Sequence, residues 1–172
     1  ETVTRNPAEV SLINATKISG RTSSGLGIGV FNAVTSSTWA EAENTLTGET
    51  RRIMTEPITN YNMLVLDQTL KNDSYISAMN TSVIRAGEKN ENFYTANVSA
   101  FDALVKTADR LWSASAGAAL SQKYYTSAPT ALGHYLGFNA GKTGGKFRTD
   151  YNFMLMSDTY DPNDMGYLRN NN

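Results

Sequence analysis

The stretch that decides the fold class of this chain is Lys146-Phe-Arg-Thr-Asp-Tyr-Asn-Phe-Met-Leu-Met156. Its odd positions are mainly apolar as far as Leu155, whereas its even positions begin with Lys146, Arg148, Asp150 and Asn152. A period of two is that of a β-strand, because successive side chains point to opposite faces of a sheet. The stretch therefore predicts one strand over residues 146–156 with an apolar face and a charged face.

The same alternation recurs along the chain, most clearly over residues 12–22, 26–31 and 111–121. A noisier alternation predicts strands within residues 58–70 and 75–85, with a bulge or a register change at Asp67. No long segment carries apolar residues at helical spacing. The chain is therefore predicted to be all-β.

Four short turn-forming segments separate pairs of predicted strands, namely Ser23-Ser24-Gly25, Lys71-Asn72-Asp73, Ala108-Asp109-Arg110 and Thr143-Gly144-Gly145. Gly, Asn and Asp tolerate the positive φ that hairpin turns require. Longer polar connections are predicted at residues 38–56, 87–92 and 123–131. This order predicts about eight strands of roughly ten residues, the length that a tilted strand needs to cross a bilayer.

Short turns at one end and long loops at the other are typical of an outer-membrane β-barrel. The chain is therefore predicted to form an antiparallel up-and-down transmembrane β-barrel, or a barrel segment, as a single domain over residues 1–172. Charges within the strands are predicted to face the lumen, because a charge facing lipid costs about 2–4 kcal/mol near the midplane. This set is Lys17, Arg21, Arg85, Asp102, Lys106, Lys146, Arg148 and Asp150.

Aromatic residues fall near both ends of the predicted strands, as the interfacial girdles of a membrane barrel would. Those after tight turns are Tyr75, Trp112 and Phe147. Those beside long loops are Tyr61, Phe93, Tyr94, Tyr124, Tyr125 and Tyr135, with Trp39 as a further candidate. The pattern predicts two girdles.

Composition restricts the possible functions. The 172 residues include 15 Lys+Arg, 16 Asp+Glu, one His and no Cys, for a formal net charge of −1. Without a basic excess the chain is not predicted to bind nucleic acid. Without Cys it has no disulfide, no thiol nucleophile and no Cys-ligated metal. It also lacks the run of about 18 apolar residues that a membrane-spanning helix requires.

The motifs that resemble chemical sites do not fit their patterns. Gly141-Lys142-Thr143 resembles the end of a phosphate-binding loop, but Gly137 lies one residue too close. His134 stands alone without a neighbouring Ser or Asp. Neither Glu41 with Glu43 nor Asp102 with Asp109 has a separation fixed by the sequence, as a glycosidase pair requires. No catalytic residue, cofactor site or covalent chemistry is predicted.

One polar loop near the C-terminal end of the sequence is a candidate surface cation site. Asp161, Asn163 and Asp164 precede Gly166 and carry oxygen ligands of the kind that Ca²⁺ prefers. Their spacing differs from that of a Ca²⁺-binding loop, and Asp-Pro-Asn-Asp is ordinary turn chemistry. A turn is therefore predicted here, and no metal site is assigned.

Two stretches resemble a known family. They are Leu12-Ile-Asn-Ala-Thr-Lys-Ile-Ser-Gly-Arg-Thr22 with the following Gly25-Leu-Gly-Ile-Gly-Val-Phe-Asn-Ala-Val-Thr35, and Tyr160-Asp-Pro-Asn-Asp-Met-Gly-Tyr-Leu168. Both resemble the C-terminal outer-membrane β-barrel domain of unassigned function that follows a family-9-like carbohydrate-binding module in Gram-negative bacteria. The resemblance implies an outer-membrane location, contact with lipid and a link to glycans, and it supplies no catalytic residues.

The resemblance also implies a larger barrel. The chain lacks the binding module and an export signal, and we expect further strands on both sides. The predicted function is a porin-like membrane scaffold or channel, linked to glycan binding or uptake. The alternatives are a soluble β-barrel that binds a ligand, a glycan-active enzyme, and a subunit of a larger cell-envelope complex that contacts other envelope proteins.

Overall fold

A computed structural model describes residues 1–86 and 93–165. These residues form strands and two short 3-10 turns, at Lys71–Asp73 and Asn163–Met165. Within the described ranges there is no α-helix, and therefore none long and apolar enough to cross a membrane. The connection predicted at residues 87–92 lies outside the described residues. The all-β prediction is confirmed.

Eight antiparallel strands form the main sheet, and each measures 8 to 14 residues. In chain order they are β2 (Leu12–Arg21), β3 (Leu26–Thr35), β6 (Ile58–Thr69), β7 (Tyr75–Ala86), β8 (Tyr94–Lys106), β9 (Trp112–Tyr125), β10 (Ala131–Lys142) and β11 (Thr149–Met156). Each strand pairs with the next strand of this series, so the topology is up-and-down. The sheet is open, with β2 and β11 at its edges.

A second sheet of three strands interrupts this series between β3 and β6. It consists of β1 (Thr2–Arg5), β4 (Thr38–Glu43) and β5 (Thr50–Glu56), with β4 in the centre. The prediction of a long irregular loop over residues 38–56 is therefore wrong. Small buried residues and pairs of opposite charge, such as Glu41 facing Arg52, replace the large apolar residues that usually reveal a strand.

The four predicted tight turns are confirmed and lie at the same end of the sheet, here called the turn end. Positive φ angles occur at Gly25 (86°), Asn72 (59°), Asp73 (56°), Arg110 (56°) and Gly145 (89°). The left-handed conformation suits Gly and Asn or Asp, which explains the choice of residues in most of these turns. The opposite end, here called the loop end, carries the three-stranded sheet. The connection from β9 to β10 at this end, residues 126–130, is shorter than the β10–β11 turn at residues 143–148, so the long connection predicted at 123–131 is wrong.

Strand limits differ from the predictions in two places, and one predicted irregularity within a strand is wrong. β11 begins at Thr149, so Lys146 and Arg148 precede the strand. β9 runs on to Tyr125, which shortens the connection predicted at 123–131. β6 keeps unbroken register with both neighbours through Asp67, so the predicted bulge is wrong. Asp67 fits the alternation because it lies opposite Gly27 and Ser77 on the polar side.

The register divides the main sheet into two faces, because directly opposed residues point to the same side. The apolar face contains a row that crosses all eight strands, namely Gly20, Ile28, Leu66, Ala78, Phe101, Ala118, Leu136 and Leu155. The large members of this row are 39 to 48% exposed. The buried core lies on the other face, the polar face, towards the loop end, and includes Ala33, Val83, Ala96 and Val98.

Candidate functional site

Charges within the main sheet segregate to the polar face. By register, this face carries Lys17, Arg21, Asp67, Arg85, Asp102, Lys106, Lys123 and Asp150. Among the described strand residues of this sheet, the exception is Lys142, whose ammonium lies 5.9 Å from the centre of the Trp112 ring at the turn end. Of the predicted lumen-facing set, Lys146 and Arg148 lie in the last tight turn. The other members share one face.

The densest cluster on this face joins two strand cations to the segment 157–165 that follows β11. The Lys123 ammonium lies 2.6 Å from an Asp161 carboxylate oxygen and 3.8 Å from one of Asp164. The Arg85 guanidinium lies 3.2 Å from Asp164 and 3.4 Å from Glu56. We call these five residues the clamp, since they tie the segment across the loop end of the polar face.

The clamp is partly desolvated. The side chains of Arg85, Lys123 and Asp164 are only 15, 17 and 7% exposed. The ring of Tyr94 lies near both cations, 4.8 Å from the Arg85 guanidinium carbon and 4.9 Å from the Lys123 ammonium. Tyr125 packs on Tyr94 with ring centres 5.2 Å apart. Charge pairing and cation–π contact therefore stabilise the same side chains.

Hydrogen bonds hold the segment against β9 and β10. The hydroxyl of Thr159 donates to the Leu132 carbonyl at 2.6 Å, and the amide of Asp161 donates to the Ser121 hydroxyl at 3.1 Å. A Cβ on Gly133 would clash with the backbone of Thr159 and Tyr160. Glycine at position 133 therefore allows the segment to approach this closely.

Ionisation at the clamp follows from these contacts. The hydrogen bond from Lys123 lowers the pKa of Asp161, and a second hydrogen bond from the Asn163 amide acts in the same direction. Burial raises the pKa of the Tyr160 phenol. Asp161 is therefore held as a carboxylate at neutral pH.

The candidate cation loop is a turn in which both carboxylates face protein cations. Asp161 pairs with Lys123, and Asp164 pairs with Arg85 and Lys123. Asp161 also accepts the Asn163 amide at 3.1 Å, as in an Asx turn. Across residues 1–86 and 93–165, no group of three or more metal-ligating side chains comes together. The predicted turn chemistry is confirmed.

A second group of contacts lies at the turn end of the polar face. The guanidinium of Arg21 pairs with Asp67 and donates to the Gly25 carbonyl at 2.7 Å. The Tyr75 hydroxyl donates to Asp102 at 2.5 Å. A Cβ on Gly27 would lie 2.9 Å from the Arg21 guanidinium, so glycine leaves room for this side chain.

An open groove of about 460 Å³ crosses the middle of the polar face on β8 to β11. Its base is formed by Gly117 and Gly137, and the Tyr135 phenol lies over Gly137. The Asn139 amide donates to Asp150 at 2.8 Å and to Asn152 at 2.9 Å. The groove lining thus combines polar groups with apolar side chains, namely Asp102, Tyr135, Asn139 and Asn152 with Phe138, Phe153 and Met154.

The predicted aromatic girdles are wrong for five of their ten named members, which face the polar side of the sheet. By register, Trp112 and Tyr124 share the apolar face, whereas the polar face carries Tyr61, Tyr75, Tyr94, Tyr125 and Tyr135. Position near a strand end does not determine the face; odd or even position along the strand does. Tyr125, for example, is two residues from Lys123 and shares its face.

The remaining predicted candidates are not brought together. Glu41 lies in the small sheet and approaches Arg5 at 4.0 Å. Asp109 accepts hydrogen bonds from Thr107 and the Leu111 amide within a turn. His134 lies on the apolar face opposite Leu120. Gly141 and Lys142 lie in β10 and so build no phosphate cradle.

Comparison with known proteins assigns the family. The family model of DUF5916, described as a domain of unknown function, matches residues 1–172. The chain belongs to the DUF5916 family. No curated protein and no solved structure matches it. The outer-membrane location and the carbohydrate-binding module implied by the resemblance are absent from the description of DUF5916, so both stay predictions.

The clamp of this DUF5916 domain was not predicted from the sequence. Its partners Arg85 and Asp164 are 79 positions apart, and no local pattern links them. Lys123 and Tyr125 are two residues apart, so strand alternation alone places both on one face. The return of the segment onto that face has no comparable signal.

Proposed function

We propose that this DUF5916 domain forms part of the wall of an outer-membrane β-barrel, with its apolar face towards lipid and its polar face towards a lumen. The observation that supports it is the apolar row across eight strands, whose large members are 39 to 48% exposed. Soluble monomers rarely expose contiguous apolar patches beyond a few hundred Å². Hydrocarbon is the solvent in which such a face is stable.

The distribution of charge supports the same orientation. A charge facing lipid costs about 2–4 kcal/mol at the midplane. The strand charges lie on the polar face, apart from Lys142 beside a turn. Seven of the eight strands have 10 to 14 residues, enough for the roughly 9–11 that a tilted strand needs to cross the hydrocarbon, and β11 has 8.

A closed barrel requires partners for both edges. Among the described residues, β2 and β11 have no partner strand on their outer sides, and unpaired backbone groups would be costly within a bilayer. In the proposed barrel, additional strands with outward apolar and inward polar residues pair with these edges. The present eight strands are then a segment of a larger wall.

The proposed role is that of a scaffold or channel without covalent chemistry. The clamped segment 157–165 would narrow the loop end of the lumen, and the groove would contact solutes that pass. A link to glycan binding or uptake rests on the family resemblance and on the hydroxyl-binding chemistry around Tyr135 and Asn139.

Fluorescence quenching by brominated lipid tests this orientation. Replacing Trp39 and Trp112 by Phe provides a background without tryptophan, since the chain has only two. In reconstituted vesicles, Phe138→Trp is expected to be quenched by lipid bromine. Asn139→Trp, the adjacent residue on the polar face, is expected to resist it. Equal resistance at both positions would overturn the proposal.

A soluble ligand-binding domain is the second candidate. It is favoured by the open polar groove and by the buried core, which lies on the polar face. The two candidates differ in detergent dependence: a membrane wall aggregates in plain buffer, whereas a soluble domain stays monomeric there. The third possibility, a subunit of a cell-envelope complex, requires a stable association with another envelope protein.

A further inference from the structure

One part of the apolar face is polar but uncharged. It spans β3, β6, β7 and β8 towards the loop end, and we call it the amide patch. Its members are Asn32, Asn60, Asn62, Asn80, Ser82, Asn97 and Ser99. Register places them on the same side of the sheet as Phe101 and Leu66.

Hydrogen bonds connect the patch from strand to strand. The Asn32 amide donates to the side-chain carbonyls of Asn60 and Asn62, at 2.7 Å each. The amide of Asn80 donates to the Ser99 hydroxyl at 2.9 Å, and Asn80 and Asn97 exchange bonds of 3.2 and 3.3 Å. The bonds order the side chains into a ladder.

The depth of the patch conflicts with simple lipid exposure. Counted from the turn end, Asn80 is the sixth residue of β7 and Asn32 the seventh of β3. A tilted strand needs roughly 9–11 residues to cross the hydrocarbon. On β9, by contrast, Leu120 is still apolar at the ninth position. In the proposed membrane orientation, Asn32 and Asn80 therefore lie within the hydrocarbon layer, and Asn60 and Asn97, each tenth from the turn end, lie near its edge.

Amides at this depth require partners. Each primary amide offers two donors and two acceptor lone pairs. The Asn80 amide nitrogen lies within hydrogen-bond distance of three acceptors, which share its two N–H groups, and the Asn80 carbonyl accepts one bond from Asn97. Its carbonyl oxygen retains a further lone pair. Lipid tails supply no hydrogen-bonding group, whereas a facing protein surface does.

We infer that the amide patch is the surface through which a second copy of this chain docks within the membrane, an inference that rests on the proposed function. An isologous contact needs a surface complementary to itself. The Asn and Ser side chains of the patch meet this condition across a two-fold axis, because each can both donate and accept a hydrogen bond and none is charged. The exposed aliphatic side chains of Val30, Leu64 and Ile84 on the same face add apolar contact.

Single cysteines test the contact, because the chain contains none of its own. Ser82→Cys is nearly isosteric and lies within the patch; Asn62→Cys is a second variant in case the first fails to fold. Phe138→Cys, on the apolar face at β10, is the matched control. In reconstituted vesicles, a short bismaleimide is expected to yield several-fold more covalent dimer from Ser82→Cys than from Phe138→Cys.

Nitroxide labels at the same cysteines distinguish the remaining outcomes. A patch label reached by a water-soluble nickel chelate would place the patch above the bilayer and overturn the inference. A patch label reached by oxygen as readily as the Phe138→Cys label, without dimer, would mean lipid contact and overturn it as well. Protection from both quenchers without dimer would mean that the patch is covered within a single copy, and it would also overturn the inference.

The control label keeps this test separate from the proposed function. If the Phe138→Cys label is reached by the nickel chelate and not enriched in oxygen contact, the lipid-facing wall is wrong. If that label lies in lipid and the patch variants give no dimer, the wall stands and the inference fails.

Discussion

The two faces of the main sheet differ in exposure to solvent, and the difference is opposite to that in a soluble sheet. The polar face carries the strand charges and the buried residues, whereas the apolar face exposes large side chains such as Phe101 and Leu136. In a soluble half-buried sheet, the apolar side is the one that packs against a core. The difference implies that something outside the described residues covers the apolar face, and lipid is the proposed cover.

The largest expected effect comes from placing a charge on the apolar face. Phe138→Arg should destabilise the reconstituted protein by about 2–4 kcal/mol, because the guanidinium would face hydrocarbon. Asn139→Arg, one residue further and on the polar face, should cost less, about 1 kcal/mol, for the lost amide hydrogen bonds to Asp150 and Asn152. Denaturant unfolding in vesicles measures both. Equal losses would remove the distinction between the faces.

A smaller loss is expected from the clamp. Lys123→Met leaves the nearly buried Asp164 with Arg85 alone and removes the partner of Asp161. We expect a loss of about 1–3 kcal/mol in the free energy of unfolding. Arg110→Met, which breaks the exposed pair with Asp73, should cost at most about 1 kcal/mol. If both variants behave alike, the clamp is an ordinary surface ion pair.

A larger residue at position 133 tests whether the segment 157–165 is held against the polar face, without changing any charge. Gly133→Ala should displace the segment 157–165 and speed its proteolysis, because the added methyl would overlap the backbone of Tyr160. The matched control is Gly20→Ala, where nothing lies within 4 Å of the added methyl. Unchanged proteolysis of the Gly133 variant would show that the segment is not held against β10.

The smallest expected effect is a pH dependence of the segment. Lys123 lowers the pKa of Asp161, so its stabilising contribution is present above the ordinary Asp pKa of about 3.9 and is lost as pH falls through the lowered value. Hydrogen exchange of residues 157–165, corrected for intrinsic rates, should therefore increase below about pH 4. Asp161→Asn should weaken this response; an unchanged response would assign it to another group.

Local sequence patterns predicted most of the strands and turns. Features that depend on contacts between distant residues were not predicted. Alternation and positive-φ residues such as Gly25 and Asn72 report the backbone around them, so they are readable from sequence. The small sheet escaped notice because Ala40 and Ala42 are its buried residues, and alanine gives little hydropathy contrast. The clamp depends on the pairing of Arg85 with Asp164, which only the folded topology determines.

The most direct measurement is a nitroxide scan along β10 from Leu132 to Ala140 in reconstituted vesicles. The proposed wall predicts a period of two, with oxygen contact highest at Leu132, Leu136 and Phe138, and nickel-chelate contact highest at Tyr135 and Asn139. A profile without this period, or one in which the nickel chelate reaches the even positions, would contradict a lipid-facing apolar surface.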